Sequence, residues 1–222
     1  MGLKNNLDQL VYEKILDDII AGKYAMGQKI LAGDIADKYG ISKTPVTQAI
    51  KLLCNDDIFE ILPTGRIIVP RLSRKDVEDV CSVRTMLEDY CADIICAREL
   101  FYNKDLVRKL RGLAETCRIN AENRDYLSFA KTDAKLHQTF VSGADNEYMQ
   151  SIFQKVHGRY TVASYLMLEL ENRDLNHSIR EHFALIESIE NRDAVKAKAI
   201  LKSHINYILS LIENDEAGKE AG

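Results

Sequence analysis

The 222-residue sequence has no tryptophan, only 3 prolines and only 11 glycines. A sandwich or barrel of short strands needs a turn every ten residues or so, and that scarcity excludes one in favour of a mainly helical fold. Long apolar runs are missing too: none approaches the roughly 18 residues of a membrane span. The opening stretch, Met1 to Asp8, has no signal-peptide core, and a cytoplasmic protein with no membrane partner is expected. Five cysteines, Cys54, Cys81, Cys91, Cys96 and Cys117, form no C-x-x-C pair and read as reduced helix-core residues. A basic excess is also lacking. The chain has 30 basic and 34 acidic residues, a net charge of −4, so charge alone gives no reason to expect nucleic-acid binding. What remains, 46% apolar and 29% charged residues, describes a globular chain of one large or two modest domains.

The first 70 residues read as three helices and a hairpin. Leu7, Val11, Ile15 and Ile19 recur at every fourth position, and Gly22 can end that helix. Leu31, Ile35 and Tyr39 mark a second, short helix that Gly40 can close in the left-handed conformation. Ser42 stands as the cap of a third, with Pro45 in its first turn and Val46, Ala49, Ile50 and Leu53 as its buried stripe. That leaves Lys43, Thr44, Thr47, Gln48 and Lys51 on the outer face, with Ser42 to Gln48 turned toward DNA. Two apolar runs, Ile58 to Leu62 and Arg66 to Val69, flank Pro63-Thr64-Gly65 as a β-hairpin. The order is that of a winged helix-turn-helix whose third helix would enter the major groove, with Gly65 and Arg66 at the tip of the wing. A small helical module that binds protein has the same pattern.

From Ser73 onward the periodicity is helical throughout. Ser73 and Asp76 form a capping-box-like start to a helix with the stripe Val77, Val80, Arg84, Leu87, Cys91 and Ile94. Later stripes run Tyr126, Ala130, Asp133, His137, Phe140; Leu175, Ile179, His182, Ile186, Ile189; and Ala197, Leu201, His204, Ile208, Leu211. Between them one helix carries Met149, Ile152, Val156 and Ala163, with Arg159 near the same face. His157 and His177 fall off their stripes and read as surface residues.

Charged and imidazole groups on inward faces need partners. A single histidine on such a face is ordinarily a hydrogen-bonded core residue. Four groups on coherent faces suggest mutual ligation. Asp133 and His137 sit one turn apart, and His182 and His204 would complete a set of three imidazoles and one carboxylate. Such a set suits one divalent transition metal per subunit, zinc foremost, with nickel, cobalt, iron or manganese also compatible. Arg84 in its apolar stripe calls for an anion: a ligand carboxylate, or Glu88 or another acid of the chain. Arg159 is a second candidate for holding a ligand carboxylate.

Two resemblances follow from these residues. Ile41-Ser-Lys-Thr-Pro-Val-Thr-Gln-Ala-Ile50, with Met26 to Ile30 before it and Thr64-Gly-Arg66 after it, resembles the DNA-binding domain of GntR-type bacterial transcription regulators. That family usually carries arginines at the positions of Gly33, Lys43 and Thr47, so the chain departs from it at its main DNA contacts. Asp133-Ala-Lys-Leu-His137, Ala144-Asp-Asn146, Glu181-His182 and Asp193 ahead of His204 resemble the FCD effector domain of the FadR-like subfamily, in its metal-binding branch. The resemblance implies a winged helix-turn-helix over residues 1–70 and an all-helical FCD bundle over residues 71–222 for effector binding, metal binding and dimerisation. It implies a homodimeric, non-enzymatic regulator, a repressor, that binds double-stranded operator DNA and responds to a small carboxylate such as a sugar acid or other organic acid. Two alternatives stand beside it: a protein-binding module with decayed DNA contacts, and a metal-dependent hydrolase.

Overall fold

Each amphipathic stretch becomes a helix, and the helices bury most of the predicted stripes, with Leu7, Leu31 and Ile152 left exposed. The computed structural model describes residues 3–166 and 174–220, with side chains at 7–99, 102–163 and 174–211. Helix α1 (Leu3–Ile20) buries Val11, Ile15 and Ile19, whereas Leu7 is exposed. Helix α2 (Ala32–Tyr39) ends at Gly40, whose φ of 67° lets its N–H reach the carbonyls of Ala36 and Asp37. Helix α3 (Lys43–Asn55) buries Pro45, Val46, Ala49, Ile50 and Leu53. Ser42 stands at its N-cap position, but its side chain accepts no backbone N–H there.

The hairpin is shorter than its apolar runs. Strands β1 (Glu60–Ile61) and β2 (Ile67–Ile68) pair antiparallel with Glu60 opposite Ile68 and Ile61 opposite Ile67. Gly65 makes the reversal at φ 77°. The segment before α2 lies along the other edge of β2, with Ile30 N–H donating to the Ile67 carbonyl and Val69 N–H to that of Gln28. This ties the wing to the start of the helix pair.

The capping box at Ser73 is present, each partner satisfying the other's backbone N–H, and it opens α4 (Arg74–Ala97). Helices α5 (Leu100–Glu122), α6 (Tyr126–Ser142), α7 (Glu147–Leu166), α8 (Leu175–Glu190) and α9 (Ala194–Glu220) complete the bundle. Helix α4 packs on α9 and α7, α5 on α6 and α8, and α8 on α9.

Two large apolar clusters, and a small one of Cys117, Phe129, Leu175 and Ile179, fill this structure. One joins the N-terminal helices to Val77, Cys81, Val162, Ala163, Ile205 and Ile208 of the bundle. The other gathers Leu87, Cys91, Ile95, Leu136, Phe140, Leu185 and Leu201. A polar layer marks where these two meet: on α4 Arg84 lies between Cys81 and Leu87, with Glu88 one turn on, and on α9 His204 lies between Leu201 and Ile205. Cys81, Cys91, Cys96 and Cys117 are buried and Cys54 partly so, all as free thiols. No helix among the described residues is long and apolar enough to cross a membrane.

One exception concerns α7. The expected stripe of Met149, Ile152, Val156 and Ala163 differs from the observed one at Ile152, which is exposed while Phe153 and Val162 are buried. The rings of Phe153, His157 and Tyr160 stack along the inward side. His157 is therefore not the surface residue its place off the stripe implied: both its ring nitrogens are closed to solvent.

Candidate metal centre and DNA-reading face

The polar layer is built from one side chain or pair per helix. Helix α4 supplies Arg84 and Glu88 one turn apart, α6 supplies Asp133 and His137 one turn apart, and α8 and α9 supply His182 and His204. One ligand atom from each of Asp133, His137, His182 and His204 lies within 4.8 Å of the others. Atoms bound to a single first-row metal at about 2.0–2.2 Å stand roughly 3–4 Å apart, so this spread fits one ion.

The orientation of the rings is set from behind. Glu88 Oε2 accepts from His137 Nδ1 at 2.8 Å, and Glu181 Oε2 accepts from His204 Nδ1 at 3.1 Å. A neutral imidazole that donates from Nδ1 has a bare lone pair on Nε2. The Nε2 atoms of His137 and His204 face each other at 3.0 Å, so two lone pairs point into the same small space. His182 Nε2 approaches Asp133 Oδ1 at 3.0 Å, yet neither ring nitrogen of His182 makes a hydrogen bond of acceptable angle.

Electrostatics favours a cation at that point. Burial pushes the Glu88 carboxyl up, but His137 and Arg84 outweigh it and hold it at about 2. Burial also pushes Asp133 up, and the surrounding imidazoles, His182 first, hold it well below the usual carboxylate range. Burial brings His137 down to about 4, so its ring is neutral at pH 7. Arg84 balances Glu88, which leaves the Asp133 carboxylate among imidazoles with no positive charge of its own. The donor set, the bare nitrogens and the uncompensated carboxylate all fit a divalent transition metal.

Arg84 is fully buried. Its Nε donates to Glu88 Oε1 at 2.6 Å, which is the chain's own acid, and its guanidinium carbon lies 4.2 Å from the Tyr160 ring centroid. Yet Nη1 and Nη2 have no partner. Arg159 is elsewhere: it lines a cleft of about 520 Å³ between the wing and α7, with Cys54, Asp57, Glu60 and Lys155. The structure thus brings Asp133, His137, His182, His204 and Arg84 together and leaves Arg159 outside. Glu181 and the pairing of Glu88 with His137 were missed in the sequence. The spacing of Glu181 four residues after His177, with which it pairs at 3.2 Å, was the available signal.

On the N-terminal module, Ser42, Lys43, Thr44, Thr47 and Gln48 are all exposed on α3, and Gly65 and Arg66 are exposed on the wing. Thr47 Oγ1 donates to the Lys43 carbonyl at 2.8 Å, a local bond that removes its hydrogen from outward contacts. A side chain added at Gly33 would start 3.5 Å from Lys43 Nζ. Of the three positions where related chains carry arginines, only Lys43 holds a base, with Lys51 exposed one turn beyond Thr47.

Comparison with known proteins decides the lineage. Residues 7–69 match the description "Bacterial regulatory proteins, gntR family", and residues 79–207 match the FCD domain. The chain belongs to the gntR family of regulators that carry an FCD domain. The chain is 23% identical over 195 residues to the gluconate operon transcriptional repressor of Bacillus subtilis, covering 85% of this chain and 77% of that one. It is 23% identical over 211 residues to the probable D-xylose utilization operon transcriptional repressor of Paenarthrobacter nicotinovorans, covering 95% and 91%. The solved structure of E. coli McbR/YncC shares the fold, with a TM-score of 0.78 and 14% identity over 95% of this chain and 98% of that one. This FCD-bearing gntR chain is a transcriptional regulator and not an enzyme, which removes the hydrolase alternative.

Proposed function

We propose that this gntR-family chain is a cytoplasmic, homodimeric repressor whose operator affinity is set by a small carboxylate bound at a metal in the polar layer. The observation that carries the metal is the pair of bare Nε2 atoms of His137 and His204 at 3.0 Å. Asp133, His137, His182 and His204 would hold one divalent ion, zinc foremost, with nickel, manganese or iron compatible. When bound, the ion supplies a positive centre for a carboxylate oxygen. Arg84 is aligned for the same ligand, since Glu88 fixes its Nε and leaves Nη1 and Nη2 as two parallel donors. The gluconate operon repressor among its relatives supports a sugar acid or another organic acid as effector.

Residues 1–70 form the reading module in this account and 71–222 the effector and dimerisation module. Val83, Met86 and Tyr90 leave an exposed apolar stripe on α4, which supports a partner subunit on that face. Helix α7 links the two sites. Its Phe153 and Tyr160 border Arg84, and its Gly158 abuts the Asp56 carbonyl at the end of α3. A ligand between Arg84 and α7 would bias the position of the reading helix, and a two-fold operator would register the changed spacing.

Metal content tests the reading. The wild type should hold one equivalent of transition metal after mild chelation, and His182→Ala should lose most of it. A full equivalent in the variant would contradict the assigned ligands. Arg84→Lys should weaken acid binding in calorimetry with metal content unchanged.

A further inference from the structure

Helix α7 presents three stacked rings toward the polar layer. The His157 ring lies 5.2 Å from Phe153 at 15° and 6.3 Å from Tyr160 at 18°, centroid to centroid. The Arg84 guanidinium lies over the two outer rings, 4.2 Å from Tyr160 and 5.9 Å from Phe153. Imidazole and guanidinium thus share one aromatic wall. Neither ring nitrogen of His157 has a hydrogen-bond partner, and both are closed to solvent, as are Nη1 and Nη2 of Arg84.

Buried polar atoms in folded proteins are nearly always paired, so four orphaned nitrogens on one wall point to a ligand. Their chemistry divides the ligand into two parts. Burial first, and then the Arg84 charge, push His157 down to about 3, so at pH 7 its ring has one N–H donor and one bare nitrogen. A carboxylate offers only acceptors and an ammonium only donors. A hydroxyl is both donor and acceptor and can serve either nitrogen of the ring, while the fixed cation beside it takes the carboxylate.

Resting on the carboxylate-effector reading above, we propose that His157 recognises a hydroxyl group of the effector, so that the site selects hydroxy acids over the same acids without the hydroxyl. His157 is a specificity residue in this assignment. It lies outside the four metal-ligating side chains and is not needed for the metal.

Calorimetric titration of the zinc-loaded full-length protein with matched pairs tests this: lactate and propionate, malate and succinate, gluconate and hexanoate. The hydroxylated member of at least one pair should bind tenfold or more tightly than its partner. His157→Phe keeps the stacked ring without its nitrogens, and there the ratio should fall to near one with zinc content unchanged. His157→Gln, which restores a donor and an acceptor, should recover part of the preference. In the wild type, the ring ¹⁵N resonances of His157 should shift with the hydroxy acid and stay in place with its partner, a readout that needs no variant to fold. Equal binding within every pair, or a preference that survives His157→Phe, overturns the inference and leaves the carboxylate reading intact. No binding of any of the six acids overturns both.

Discussion

His137 and His204 face each other through their Nε2 atoms at 3.0 Å while Glu88 and Glu181 hold their Nδ1 atoms from opposite sides. Two Nε2 lone pairs held in that way repel unless a cation lies between them. The carboxylates behind the rings are therefore as much a part of the centre as the four ligand side chains.

Glu181→Gln tests that statement with little disturbance, because Glu181 keeps some contact with solvent. Losing the carboxylate behind an imidazole typically costs a metal site about 10–100-fold in affinity. Competition against a zinc-binding dye should show a drop of that order with the thermal midpoint of the metal-free protein nearly unchanged. Equal zinc affinity would remove Glu181 from the centre.

Acid stability offers a test inside the N-terminal module. Burial raises the Asp18 carboxyl, but hydrogen bonds from Lys23, Lys38 and Tyr39 prevail and hold it at about 2. The unfolded chain binds that proton near pH 3.9, so the stabilisation is fully present above about pH 4 and is lost as pH falls through about 2. Both lysines are largely exposed, which limits the contribution to about 1–2 kcal/mol. Asp18→Asn should lower the urea midpoint at pH 7, and the gap to the wild type should close between pH 4 and pH 2. A gap independent of pH would show that packing, not charge, is lost.

Gly158 tests the link between the modules. A Cβ at this position would stand 2.2 Å from the Asp56 carbonyl oxygen, a backbone atom that cannot turn aside. Gly158→Ala should cost about 1–3 kcal/mol of stability. It should also change operator affinity with zinc stoichiometry preserved. Unaltered stability and DNA binding together would show that α7 and α3 are free to separate.

Lys43 and Lys51 on the reading helix and Arg66 on the wing are exposed bases, and few bases release few counterions. Lys43→Ala and Arg66→Ala should each lower the slope of log affinity against log salt by about one, and Thr47→Arg should tighten binding generally. Selection from random DNA at low salt should return a two-fold sequence. Failure to prefer any sequence would favour a module that binds protein.

Much of this was legible in the sequence where a periodic apolar face meets one ionisable group per turn. Asp133, His137, His182 and His204 were placed together because each interrupts a stripe, and a buried charge without a partner is costly. Arg84 was legible for the same reason, though not that Glu88 takes only its Nε. Helix α7 was read correctly at Met149, Val156 and Ala163 but not at Ile152, which is exposed, while Phe153 and its ring stacking with His157 and Tyr160 take the inward side. Aromatic stacking leaves no mark in a hydrophobic period. The wing strands came out at two residues each because the segment Gly27 to Ile30 shares the pairing of β2, a non-local partner that no local pattern reveals.

The central claim joins metal, acid and operator, and fluorescence anisotropy of the zinc-loaded full-length protein on its own upstream DNA tests it most directly. Gluconate, malate and lactate would be titrated in turn into the wild type and into His182→Ala. At least one acid should release the wild type from DNA by tenfold or more in affinity and leave the binding of His182→Ala unmoved. Equal release of both proteins, or release of neither by any acid, would contradict control through the metal centre.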